Sequence, residues 1–200
     1  MPAPRMTAAQ RREQLLDVLA RIVIDEGYTA ISIDRVAREA GIARTVVYSH
    51  FGSLDGLVRA LIERTEHRAL GQVRDVVPDL DFDDDPDAIL TDAVREFFSR
   101  VRDDPDTWRL AVLPVDGAPV ELRERLGRAK AAVIGLLQPV IEEGIRRRGG
   151  PAELDAELFS RLLVSSAEDA ARLVLSDPET YTPERLARFT ATLMSALQRA

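Results

Sequence analysis

Apolar residues recur along this chain at helical spacing, and no stretch alternates as a strand would. Leu15, Leu19, Ile22 and Val23 define one face of a first helix. Thr7-Ala8-Ala9-Gln10 has the form of a capping box at its start, and Gly27 ends it. Ser32 reads as the N-cap of a short second helix carrying Ile33, Val36, Ala37 and Ala40, which Gly41 stops. A third short helix is predicted over about 44–50, ended by Gly52. Ser53 then caps a fourth, through Leu57 and Leu61 to about 77.

The second half continues the pattern. An acidic linker at 78–86 precedes a fifth helix with Ile89, Ala93, Phe97 and Val101 on one face. Asp104 and Pro105 open a sixth around Trp108 and Leu110. After a break at 114–119, a long seventh helix runs through Leu126, Val133, Leu137 and Val140, with a kink predicted at Pro139. The last two helices are expected over about 153–175 and 183–199, the final one capped at Thr182. The fold class is therefore all-α. An N-terminal three-helix unit (1–53, continuing into a connecting helix 53–77) precedes a C-terminal helical bundle (78–200).

Composition narrows the chemistry. The chain has no cysteine, which removes disulfide scaffolds, thiolate metal sites and cysteine nucleophiles, and fits a reducing cytoplasm. No signal peptide or membrane-length apolar run is visible, so the expected location is cytoplasmic, with no membrane partner. Net charge is −7, which argues against a nucleic-acid partner until its distribution is examined. Residues 1–52 sum to +1 and residues 53–200 to −8, so the acidic excess lies outside the opening segment. Of 27 basic residues, Lys130 alone is lysine.

Two short helices joined at Gly41 match a helix-turn-helix, whose second helix can enter the DNA major groove. On that helix Val47 and Phe51 face inward, leaving Arg44, Thr45, Tyr48 and Ser49 on the other side. Arg44 can reach guanine or a phosphate. Ser32, Thr45, Tyr48, Ser49 and His50 can bond phosphate oxygens, which fixes register without reading sequence. Residues 9–63 resemble the DNA-binding domain of the TetR family of transcriptional regulators. The resemblance rests on DEGY (25–28), AISIDRVAREAGIARTVVYSHFGS (30–53) and a leucine-rich fourth helix. It implies a homodimer bound to palindromic double-stranded operator DNA, usually as a repressor released by a small ligand held in the C-terminal domain. It also implies that the last two helices pair across the dimer. Three positions depart from the family pattern. Ala43 stands where a polar cap is common, Val46 where a phosphate-bonding hydroxyl is, and Leu54 where a lysine is. Weaker backbone contacts follow, which Arg5, Arg11 and Arg12 could offset.

The bundle offers further candidates. Phe97, Val101, Trp108 and Leu137, with Ser165 and Asp169, could line a pocket for a mainly apolar molecule, although aromatics at helical spacing also build plain cores. Leu158, Leu162, Leu173, Leu186, Phe189 and Leu193 give the last two helices a second apolar side, suited to a partner subunit. Glu63 and His67 are four apart, a spacing that serves a solvated ion pair better than a metal, and no cofactor or metal is expected. An all-α enzyme would need a convergent acid–base set, and only His50 and His67 are available. A helical effector-binding dimer with weak DNA binding is the remaining alternative.

Overall fold

The computed structural model describes residues 6–77, 85–112, 120–149 and 153–197, and all regular structure among them is helical. Helix α1 (Ala8–Glu26) begins at a reciprocal cap: the Gln10 amide donates to Thr7 Oγ1 at 3.2 Å, and the Thr7 amide donates to Gln10 Oε1 at 2.9 Å. Gly27, at φ 82°, turns the chain into a 3-10 turn (Tyr28–Ala30). Three helices follow: α2 (Ile33–Glu39), α3 (Arg44–Phe51) and α4 (Leu54–Val76). The C-terminal part holds α5 (Pro86–Asp103), α6 (Pro105–Val112), α7 (Val120–Arg148), α8 (Ala156–Ser176) and α9 (Pro183–Leu197).

Local signals set most of these ends. The Asp104 carboxylate accepts from the Thr107 amide at 3.4 Å to open α6, and Thr182 Oγ1 accepts from the Arg185 amide at 3.2 Å to open α9. Helix α8 starts three residues later than its pattern suggests. Asp155 supplies the capping carboxylate, accepting from the Leu158 amide at 3.0 Å. Pro139 lies inside α7 without ending it. Of the acidic linker only Asp85 and Pro86 are described; residues 78–84 and the break at 114–119 lie outside the described residues. No described helix is long and apolar enough to cross a membrane.

Two cores organise the molecule. The first joins Leu15 and Leu19 of α1, Val36 of α2, Val47 of α3, and Leu57 and Leu61 of α4, each at most 1% exposed. Enclosing a leucine of this kind contributes about 1.5–3 kcal/mol. The second gathers Val73 of α4, Phe98 and Val101 of α5, Trp108 and Val112 of α6, and Ala171 and Val174 of α8. Helix α4 serves both. So does α6, which packs on α1, α4 and α8 and buries Leu110 in the first core while Trp108 enters the second. The N-terminal and C-terminal parts thus share a wall.

Candidate functional site

The second and third helices are held at a fixed angle by short, local bonds. Ser32 Oγ accepts from the Arg35 amide at 3.2 Å, which opens α2 and leaves the hydroxyl proton free to donate. Gly41, at φ 67°, makes the turn, and the Ile42 amide donates to the Ala37 carbonyl at 3.0 Å. Helix α3 begins at Ala43 with no side-chain cap. It is anchored by Val47, fully buried, and by Phe51, which packs against the first core. The opposite side carries Arg44, Thr45, Tyr48 and Ser49, all exposed; Tyr48 keeps 50% of its surface open.

These exposed groups are not equally free. Arg44 Nη1 pairs with Asp34 Oδ1 at 3.0 Å, and both side chains are largely in solvent, so the pair adds little stability and yields readily to a stronger acceptor. Ser49 Oγ donates to the Val46 carbonyl at 2.8 Å. His50 is half-buried with its ring 6.2 Å from that of Phe51. Arg12 donates to the His50 carbonyl at 3.1 Å and lies 4.5 Å over the Phe51 ring. Its guanidinium therefore closes the C-terminal end of α3, a cation among unfilled carbonyls, and is engaged within the fold. Arg11 donates to Gln14 Oε1 at 2.5 Å, and Arg5 lies outside the described residues. Leu54 is half-buried against the first core, so packing occupies the position where the family often has a lysine.

Arg44 and Tyr48 should differ as mutants. Arg44→Ala is expected to weaken operator binding and relax preference at one symmetric base-pair position by about 1–3 kcal/mol. Tyr48→Phe keeps the ring and removes one hydroxyl, so it should cost about 0.5–3 kcal/mol nearly equally on every sequence. Binding measured across single-base operator variants separates the two. A uniform loss for Arg44→Ala would make Arg44 a phosphate contact.

Beneath this unit lies an elongated, mostly aliphatic cavity of about 420 Å³ between α4, α5, α6, α7 and α8, within the usual range for small-molecule sites. Phe97, Trp108 and Leu137 line it. The Phe97 and Trp108 rings meet edge to face at 5.0 Å, and Trp108 Nε1 donates to Gln72 Oε1 at 2.7 Å, which fixes the indole in the wall. Val101 does not line the cavity: it is fully enclosed in the second core. Asp169 does not either, being exposed and paired with Arg172 on its own helix. Ser165 stands just behind the wall, accepting from Lys130 Nζ at 3.2 Å. The polar groups that do line it were not evident from periodicity. They include Lys130 and Glu168, 2.8 Å apart across α7 and α8, and Arg125 with Glu66, 3.1 Å apart across α7 and α4. The chain's single lysine was the one available hint. Tyr28, Ile62, Leu110 and Leu126 belong both to this lining and to the first core or its margin.

On the outer side of α8 and α9, Leu158, Leu162, Leu173, Phe189 and Leu193 are exposed, Leu162 at 58% and Phe189 at 66%. Leu186 is not part of this stripe; it turns inward and packs on the second core. Among the described residues no three His, Asp or Glu side chains gather as a metal site.

The profile of the family described as bacterial regulatory proteins, tetR family, matches residues 15–61, which spans α2, α3 and most of α1. Over that segment the chain is similar to the TetR family. Similar proteins include the HTH-type transcriptional activator FasR of Mycolicibacterium smegmatis, 32% identical over 106 residues, 53% of this chain and 47% of that one. The chain thus matches about half the length of that relative. The fatty acid metabolism regulator protein of Bacillus subtilis is 16% identical over 84% of this chain and 85% of its own. Among solved TetR-like folds, the fatty acid degradation regulator FadR of Bacillus halodurans superposes with a TM-score of 0.72 at 17% identity, covering 95% of this chain and 96% of that one. FadR of Bacillus subtilis, solved with stearoyl-CoA, gives 0.69 at 16% identity, covering 90% and 96%. The likeness to these structures is one of fold. The relatives named here are transcriptional regulators, and residues 15–61 of this chain match the family's profile.

Proposed function

We propose that the protein is a ligand-responsive transcriptional repressor that binds palindromic operator DNA as a homodimer and is released by a molecule with a long apolar chain. The observation that carries this reading is the wall shared between cavity and DNA-binding core. A ligand seated against Tyr28, Ile62, Leu110 and Leu126 touches the residues that set the posture of α1 and α4, and α4 leads directly from the corner that holds α3. Filling the cavity would tilt α3 and change the spacing of two reading heads, and fixed half-site spacing turns that change into lost contacts. In this reading the DNA contacts are Ser32, Arg44, Thr45, Tyr48, Ser49 and His50, and the outer stripe of α8 and α9 forms the dimer seam. The elongated aliphatic lining suits an acyl chain, the chemistry named in the stearoyl-CoA complex of Bacillus subtilis FadR.

Selection of bound fragments from a random DNA pool, repeated with a long-chain acyl thioester, tests this. A two-fold symmetric site should emerge, and the thioester should lower affinity for it by about 5- to 150-fold, the usual range of such coupling. No enriched site would sink DNA recognition. An enriched site indifferent to acyl thioesters would sink the ligand class.

A further inference from the structure

The cavity has two unlike ends. Helix α4 lines it from Ile62 through Thr65 and Val73 to Val76, and α7 from Arg125 through Leu137 to Arg148. Ile62 and Leu126 adjoin the first core, so Tyr28, Thr65 and Arg125 mark the end beside the DNA-binding unit. The distal stretch is furnished by Val140, Ile141 and Ile145 of α7, with Phe159 of α8 and Met194 of α9, and ends at Arg148.

Two hydroxyls at the near end stand out. Tyr28 is 7% exposed and Thr65 8%, and neither hydroxyl has a hydrogen-bond partner among the described residues. Neither oxygen is among the fully enclosed unsatisfied atoms, so each keeps some accessible surface while its residue lines the cavity, and a hydroxyl so placed can still donate and accept. Thr65 and Thr107 are the two buried threonines among the described residues whose hydroxyls have no partner, and of the two only Thr65 lines the cavity. Thr91, Ser160 and Thr190 satisfy themselves by donating to the carbonyl four residues earlier, at 2.7, 2.6 and 3.0 Å, and Thr65 does not. Burial holds the Tyr28 phenol in its protonated form, its pKa pushed up to about 12, so it is a donor at any ordinary pH. The charges lining this end are already matched: Arg125 pairs with Glu66 and Glu63, and Lys130 with Glu168. A further anionic group there would lack a counter-charge, whereas a neutral oxygen needs only donors.

We propose that the Tyr28 and Thr65 hydroxyls bind a neutral carbonyl oxygen of the ligand, with its hydrocarbon chain running along α7 toward Met194. This rests on the reading of the cavity as an apolar-chain site and adds the ligand's polarity and direction. Tyr28 also belongs to the turn between α1 and α2, so the bond would place the ligand's polar group directly on the DNA-binding unit.

The full-length protein can be titrated with three probes, following fluorescence of Trp108, the chain's one tryptophan and part of the cavity wall. Methyl decanoate carries a neutral carbonyl, decanoate a charged carboxylate, and decyltrimethylammonium the same kind of tail with no acceptor. Methyl decanoate should bind more tightly than decanoate. Tyr28→Phe and Thr65→Val should each weaken methyl decanoate by about two- to tenfold, the usual worth of one hydrogen bond, and leave decyltrimethylammonium unmoved. Equal losses on both probes would mean that the hydroxyls merely support the fold, and no loss on either would mean that they do not touch the ligand; both results overturn the inference while the cavity reading stands. Tighter binding of decanoate than of its ester overturns the neutral head. If none of the three perturbs Trp108 in the parent protein, the cavity reading itself fails and the inference falls with it.

Discussion

A folded monomer that no longer retards operator DNA is the expected product of Leu162→Glu combined with Phe189→Glu. Both side chains stand more than half exposed on the outer side of α8 and α9, where no described residue of the subunit covers them. On the proposed reading this stripe is the dimer seam, and symmetry makes each substitution count twice. Covering the exposed part of four such side chains is worth about 4–7 kcal/mol, so their removal should raise the dimer dissociation constant at least about a thousandfold. Buried carboxylates facing their own copies would add to the loss. Helix content and melting of the subunit should change little, because neither residue belongs to the packed cores. Sedimentation at micromolar concentration checks the first half and a gel shift the second. A variant that still sediments as a dimer places the seam elsewhere.

Gly56→Ala should damage stability and DNA binding together. Gly56 is the third residue of α4, and its amide donates to the Ser53 cap at 3.0 Å. A Cβ at that position would fall on the backbone carbonyl oxygen of Phe51, well inside contact distance, with the Phe51 carbonyl carbon at 3.3 Å. A flexible side chain could swing aside, but this carbonyl sits at the end of α3, next to Gly52 at φ 74°. The α3–α4 corner would have to open. Overpacking of this kind costs about 1–3 kcal/mol, or about 2–12 °C in melting temperature for a chain of this size. Opening the corner also turns α3 against its partner across the dimer, so operator affinity should fall at least about tenfold. Calorimetry and a gel shift on the same preparation test both. Parent-like melting and affinity would show that the corner is not so tight.

What the sequence disclosed follows physical range. Caps at Thr7, Ser32, Ser53, Asp104 and Thr182 act over three residues, and each was legible as a local pattern. At the start of α8 periodicity gave only an approximate beginning near 153, and the Asp155 cap sets it at Ala156. The outward face of α3 was also legible, because Val47 and Phe51 fix which side is inward. Helical period separates an apolar side from a polar one, but it does not say whether the apolar side meets a packed neighbour or a void. Phe97 and Val101 are four apart on α5, yet one lines the cavity and the other is sealed in the second core. Leu186 and Phe189 separate in the same way on α9. Arg12 on Phe51, Lys130 beside Glu168 and the unmatched hydroxyls of Tyr28 and Thr65 depend on contacts between distant segments, which no window of sequence contains.

The wall shared by the cavity and the first core constrains how such a regulator can diverge. A substitution at Tyr28, Ile62, Leu110 or Leu126 that reshapes the pocket also disturbs the packing that holds the DNA-reading helix. Changes at Val140, Ile141, Ile145 or Phe159 alter the distal reach of the cavity and touch nothing in that core. On the proposed function, descendants of this protein are therefore free to retune the length of the molecule they sense, while the group read beside the DNA-binding unit is held in place by the demands of folding.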